Sequence, residues 1–236
     1  MATCVPGEFA DARGVCLPCK DFEGCFTKPG DMYYFFNAGL DMIETFGTES
    51  LGKPTSPRAW LYVPTGVTGK EACVDPDGSG AAAKYTDQSY EYCPGDQTIY
   101  VGEQAMWEFY SDHGDAAPIV ALAHEWGHHL QTVAGMVVRR DHKRADILAQ
   151  EIQADCVAGA WTGWAKTRGM LNEQDDLQDV GALMTAIAEF GPERTHGTLE
   201  ERVGAFETGF REGLASCNRY VDQKPLVTSA GASATP

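Results

Sequence analysis

The segment PIVALAHEWGHHLQTVA, residues 118–134, constrains this chain more than any other stretch. It is apolar or small on nearly every side, which predicts a helix buried all round, with Pro118 tolerated in its opening turn. Within it His124 and His128 stand at positions i and i+4. Such residues lie one above the other on a helix, so both imidazoles can reach a single point. They are either a hydrogen-bonded structural pair or half of a metal site. Glu125 follows the first histidine and lies beside that point. There it can take a proton from a water on the metal without binding the metal itself.

A hydrolytic zinc site needs three protein donors and one open position. The extended HExxH pattern that supplies a third histidine from the same segment fails, because Gln131 and Ala134 occupy the required places. The run 145–167 predicts a second long helix. A loop of about ten residues joins the two, which makes them antiparallel neighbours. This second helix carries Glu151 and Asp155, again at i and i+4. Glu151 is the expected third ligand. Asp155, one turn on, is placed to hydrogen-bond His124 and fix its tautomer. Ile147, Leu148, Ile152, Ala154 and Val157 imply that this face is at least partly buried, where a lone carboxylate is costly. The alternative for Glu151 is a solvated helix carboxylate. Two imidazoles and a carboxylate suit one Zn2+.

Charge and cysteine content bound the partners. A formal charge of -16 argues against nucleic acid, which selects a basic face. Hydrophobic residues make up 43% of the chain, enough for one packed core in 236 residues. No stretch approaches the ~20 apolar residues needed to span a membrane. The eight cysteines are Cys4, Cys16, Cys19, Cys25, Cys73, Cys93, Cys156 and Cys217. An even, dispersed set suits disulfides in an extracellular or cell-envelope setting. A zinc site at Cys16 and Cys19 is the competing reading, and it lacks a matching partner pair. No hydrophobic signal core follows Met1, so export implies a leader either removed or left out of this sequence.

Three regions are expected: a Cys-rich arm over 1–30, a main domain over 31–220 and a disordered tail over 221–236. Helices are predicted over 31–46, 103–110, 173–190 and 199–214, besides the two already described. Residues 59–63 and 98–101 read as strands, and 64–97 as a long loop pinned at Cys73 and Cys93. The strand TIYV, 98–101, is either an edge on which an extended peptide could add or a buried structural strand. His129 faces away from the other two histidines and is read as non-ligating. Trp161 and Trp164 are read as core. The basic cluster Arg139, Arg140, Lys143 and Arg144 is read as a solvated loop.

HExxH followed by ExxxD resembles the gluzincin arrangement. The strings HEWGHHLQ, QEIQADCVAGAW and THGTLEERVGAFETGF resemble the neutral zinc metallopeptidases of bacteria, over roughly residues 31–217. The resemblance implies an α+β, zincin-like fold, mostly helical with a small N-terminal sheet. It also implies an exported or membrane-anchored endopeptidase acting on peptide or protein substrates, with Glu125 activating water. Cys73 is implied to pair with Cys93 and Cys156 with Cys217, leaving the four N-terminal cysteines to pair among themselves. His196, in THGTLEER, resembles an active-site donor of related gluzincins; the alternative is a helix-capping loop histidine. The motif around Glu200–Arg202 could instead form an ion pair at the start of that helix. Two other functions compete. One is a hydrolase of a non-peptide amide. The other is a zinc-stabilised, disulfide-rich extracellular binding module without turnover, for which Glu125 would have no use.

Overall fold

The apolar run is helix α3 (Ala116–Val133), which begins two residues before Pro118. The proline therefore falls in the first turn, where no backbone N–H is required. The computed structural model describes residues 8–10, 16–18, 26–74, 82–136, 144–171, 176–191, 194–221 and 225–227. Around α3 lie α1 (Met32–Leu51), α2 (Glu103–His113), α4 (Arg144–Thr167), α5 (Asp176–Ala186) and α6 (Leu199–Glu212). Trp126 and Leu122 of α3, Phe35 and Ile43 of α1, and Trp161 of α4 are fully buried in one core. Trp161 is thus a core residue, as expected. Trp164 is half-buried and packs on Phe46 with ring centroids 5.5 Å apart.

Helix α4 is built for close approach. A Cβ on Gly159 would lie 2.0 Å from the Phe206 carbonyl oxygen, and one on Gly209 of α6 would lie 1.9 Å from that of Cys156. The two helices therefore meet backbone to backbone, and neither main chain can yield cheaply. Gly209→Ala should lower stability by at least the ~1–3 kcal/mol typical of overpacking. Denaturant unfolding of the metal-free protein checks this, and a midpoint equal to wild type would refute the packing.

Helix α5 is shorter than the predicted 173–190. It ends at Ala186, and the chain then turns through Ile187 and reaches Gly191, whose φ of 96° is left-handed. After this early stop Glu189 bonds His196, which in turn faces Glu151 of α4. Helix α6 starts with a capping box, in which the Thr198 hydroxyl accepts from Glu201 N–H and Glu201 returns a bond to Thr198 N–H.

The predicted loop over 64–97 is a correction, since it contains three strands: β4 (Thr68–Val74), β5 (Ala82–Thr86) and β6 (Tyr90–Cys93). Strands β4 and β5 form an antiparallel hairpin. Each strand is short and bounded by turn residues, so the turn signal dominated the window. The main sheet has order β3-β7-β6, with β3 (Ala59–Val63) parallel and β6 antiparallel to β7 (Thr98–Gly102). TIYV is therefore the central strand and wholly buried, which excludes its reading as an edge. The edge facing α3 is β6. Tyr90 O–H donates to the Pro118 carbonyl, Tyr92 N–H to Glu125, and the Tyr92 hydroxyl pairs with His129. Those three α3 residues lie at i, i+7 and i+11, along one face of the helix.

Two strands near the start, β1 (Glu8–Ala10) and β2 (Cys16–Pro18), pair antiparallel. The mutual pairing expected for Cys4, Cys16, Cys19 and Cys25 falls outside the described side chains, and the basic loop over 137–143 outside the described residues. The other two disulfides are those implied by the resemblance. Cys73–Cys93 ties β4 to β6, and Cys156–Cys217 ties α4 to the 3-10 turn Leu214–Tyr220. Asn218 holds the backbone of Leu226 and Val227, and Val227 is buried, so the packed body reaches residue 227. Among the described residues no helix is long and apolar enough to cross a membrane. The architecture is mixed α+β and mostly helical, as expected.

Candidate metal centre

Gly127, between the two histidines, lets α3 lie against α4. A Cβ there would meet Ala154 Cα at 3.1 Å and Val157 Cβ at 3.3 Å. This close crossing brings Glu151 under the imidazoles. His124 Nε2 lies 3.2 Å from His128 Nε2 and 3.2 Å from Glu151 Oε2, and His128 Nε2 lies 3.5 Å from Glu151 Oε1. Metal–donor bonds of about 2.0–2.1 Å around a tetrahedral ion put neighbouring donors about 3.3 Å apart. The three side chains thus already stand at the spacing that a zinc ion requires.

The hydrogen bonding supports the same reading. His124 Nδ1 lies 2.9 Å from Asp155 Oδ1, and His128 Nδ1 lies 3.1 Å from Gln131 Oε1. Both partners accept, so each Nδ1 carries a proton and each Nε2 is the nitrogen turned to the common point. Glu151 Oε2 is buried without a hydrogen-bond partner, although ring nitrogens of His124 and His196 lie within 3.4 Å. Two ring nitrogens and a carboxylate converging on one buried point are satisfied by added protons or by a cation, and not by a neutral apolar core. A cavity of about 410 Å³ opens beside these three side chains, lined by Tyr92, His128 and Glu151 among others. A second cluster, Glu71 with Cys73 and Cys93, has its sulfurs spent in a disulfide and offers no thiolate.

The electrostatics favour positive charge in this cage. Burial pulls the His124 pKa down, but the hydrogen bond to Asp155 and the charge of Glu151 outweigh it and raise it to about 10. Burial opposes His128 in the same way, and Glu151 again wins and raises it. Glu151 would be pushed up by burial, yet the two histidines hold it well below the usual carboxylate range. Whatever stabilises an added proton here also stabilises a divalent ion.

Glu125 sits next to the donors but outside them. Its Oε2 accepts the Tyr92 N–H at 2.8 Å, so the edge strand holds it in place. Burial pushes its pKa up, opposed by His128 and His124. His196, from the loop ahead of α6, turns Nε2 towards Glu151 at 3.4 Å while Nδ1 bonds Glu189 Oε1 at 2.9 Å. Glu189 also accepts the backbone N–H of Thr195 and His196. These bonds, the His196 N–H first, hold its carboxyl at about 2, so the loop is pinned at any moderate pH. His129 is buried against Tyr92 and points away from the centre, as expected, with burial lowering its pKa to about 4.

Two neighbours have roles that the sequence did not assign. Arg202, in the first turn of α6, does form the structural ion pair that its motif allowed, and its partner is Asp155 of α4. The Arg202 Nη2 donates to Asp155 Oδ1 at 2.8 Å, so that oxygen serves His124 and Arg202 together, and both partners are buried. The signal was present: Arg202 falls on the stripe of α6 that also carries Ala205, Phe206 and Gly209. A cation on an apolar stripe calls for a buried anion. Gln131 had been noted only for breaking a longer histidine pattern, whereas it bonds His128 directly. Beside Glu125 opens a further cavity of about 260 Å³, with walls from Phe109, Val120, Leu183, Met184 and Ile187 and with Arg202 among its lining residues.

Two imidazoles and a carboxylate on crossing helices, with an unligated glutamate next to them, define the class: a helix-borne mononuclear zinc-type centre. Sequence comparison then identifies the family. The chain belongs to the family described as "Putative neutral zinc metallopeptidase", which it matches over residues 77–220. This is a shorter stretch than the 31–217 expected, because the match begins after α1, β3 and β4. The chain is 31% identical over 160 residues to YpfJ of Escherichia coli K12, an alignment covering 55% of this chain and 53% of that protein. It is 27% identical over 164 residues to Rv2575 of Mycobacterium tuberculosis, covering 58% and 56%. Both relatives are described as uncharacterized proteins, and the chain spans about half the length of each. No solved structure matches it.

Proposed function

We propose that this chain is a zinc-dependent endopeptidase, with His124, His128 and Glu151 as metal ligands and Glu125 as general base. The observation that carries this reading is the set of donor separations, 3.2, 3.2 and 3.5 Å, with a buried carboxylate held beside them. Zinc bound there supplies Lewis acidity, polarising a carbonyl and lowering the pKa of water to about 7. Glu125 accepts the proton from the attacking water and returns it to the leaving amine nitrogen. Burial pushes its pKa up, which makes Glu125 a better proton acceptor than a solvated carboxylate. Asp155 keeps the His124 ring in the Nδ1–H tautomer. Strand β6 borders the site, where an extended peptide could pair with its outward backbone groups other than the Tyr92 N–H held by Glu125, and the apolar cavity accepts one of the peptide's side chains. The two disulfides suit an extracytoplasmic setting.

The test joins metal analysis to cleavage mapping. One zinc per chain is expected, with hydrolysis of a peptide library abolished by chelation and restored by zinc. Bonds flanked by a large apolar residue should be preferred. A protein that holds one zinc and leaves every peptide intact would defeat the peptidase reading and favour a zinc-stabilised binding module.

His196 is assigned to the oxyanion, a role that needs hydrogen on both ring nitrogens: Nδ1–H is held by Glu189, and Nε2–H is the donor directed into the site. His196→Ala should lower kcat by about 100- to 1,000-fold, the usual loss for one oxyanion donor, with zinc content unchanged. Loss of zinc in that variant would make His196 a ligand instead.

A further inference from the structure

The two histidines are oriented by different chemistry. His124 leans on a carboxylate, Asp155, whereas His128 leans on a neutral amide that begins a chain of hydrogen bonds. Gln131 Oε1 lies 3.1 Å from His128 Nδ1. The Gln131 amide nitrogen donates to the Gln150 carbonyl at 2.7 Å and to Gln153 Oε1 at 3.1 Å. The Gln153 amide nitrogen donates in turn to the Cys217 carbonyl at 3.0 Å. Cys217 is held to α4 by its disulfide with Cys156. Gln131 is 3% exposed and Gln153 0%, so water does not compete for these bonds.

The direction of this chain is fixed at both anchors. A backbone carbonyl can only accept, so the nitrogen of Gln131 must face Gln150 and the nitrogen of Gln153 must face Cys217. Each amide oxygen is then directed the other way, and the last of them faces His128. His128 Nδ1 must donate, which leaves Nε2 as the free lone pair. We infer that Gln131 and Gln153 form an amide relay that positions His128 for the metal, Gln131 directly and Gln153 through Gln131. A neutral relay suits this side of the site, where Glu125, Glu151 and Asp155 already supply three carboxylates and a fourth would cost burial of further charge.

The inference rests on the zinc reading, and the test separates the two. Gln131→Met and Gln153→Met keep the shape and remove the hydrogen bonds. Zinc affinity is measured by competition with a chelator, and the thermal midpoint of the zinc-free protein is recorded in parallel. Gln131→Met should weaken zinc binding by about 10- to 100-fold, the usual cost of losing a ligand's outer partner. Gln153→Met should weaken it less. The double variant should bind no worse than Gln131→Met, because the two residues act in series. Wild type without zinc affinity would defeat the metal reading. Wild type that binds while Gln131→Met stays within about twofold of it would defeat the relay alone, as would two effects that simply multiply. Should the methionine variants fail to fold, nitrogen-15 spectra of zinc-loaded wild type decide. The His128 Nδ1 proton should exchange slowly with solvent, and a rapidly exchanging one overturns the proposal.

Discussion

Glu125→Gln should leave one zinc bound and cut peptide hydrolysis by about 100- to 10,000-fold, the range that general acid–base catalysis contributes. The substitution is nearly isosteric, and its amide oxygen can still accept the Tyr92 N–H that now reaches Glu125 Oε2. The position is therefore kept and only proton affinity is lost. His124, His128 and Glu151 do not depend on Glu125 for their placement, since Asp155 and Gln131 hold the two rings. The measurements are kcat/KM on a quenched peptide and zinc content of the same preparation. Activity within about threefold of wild type at full occupancy would remove Glu125 from the chemistry, because no proton-transfer role survives so small a loss. A loss of zinc along with activity would point to a structural role instead.

The centre was more legible in the sequence than the sheet beside it. Helical spacing is strict, so His124 with His128 and Glu151 with Asp155 could each be placed on one face from numbers alone. A short loop between two long helices then left an antiparallel crossing as the natural arrangement. Gly127 makes that crossing close, and its role became visible only when the Ala154 backbone was found 3.1 Å from its absent side chain. The strands failed for a different reason. Strand β6 is a four-residue strand in a stretch dominated by turn residues, and its identity as the edge depends on pairing with β7, a partner that local pattern cannot name. TIYV showed strand character but not its central rank in the sheet. The amide relay depends on which side chains meet between α3, α4 and the turn after α6, contacts separated by up to 64 residues. Arg202 lay between these cases. Its place on an apolar stripe announced a buried partner, and only the fold shows that the partner is Asp155.

That shared partner makes Asp155→Ala the other large effect, and one with two separable parts. Asp155 Oδ1 bonds both His124 and Arg202, and all three groups are shielded from water. Removing the carboxylate strands the Arg202 guanidinium, whose remaining bond among the described residues is a long one to the Ile187 carbonyl at 3.4 Å. An uncompensated buried charge costs about 3–5 kcal/mol, so the zinc-free variant should unfold at markedly lower denaturant. Separately, His124 loses the acceptor at Nδ1, and zinc affinity should fall by about 10- to 100-fold. Adding Arg202→Met takes away the stranded cation and puts an apolar chain of similar length in its place. Much of the stability should then return, while zinc affinity should stay low, because His124 still lacks its acceptor. Unfolding of the chelated protein and chelator competition measure the two quantities independently. Recovery of both in the double variant would show that Asp155 serves the metal only through the stability of the fold, and an undiminished zinc affinity in Asp155→Ala would show that it does not orient His124 at all.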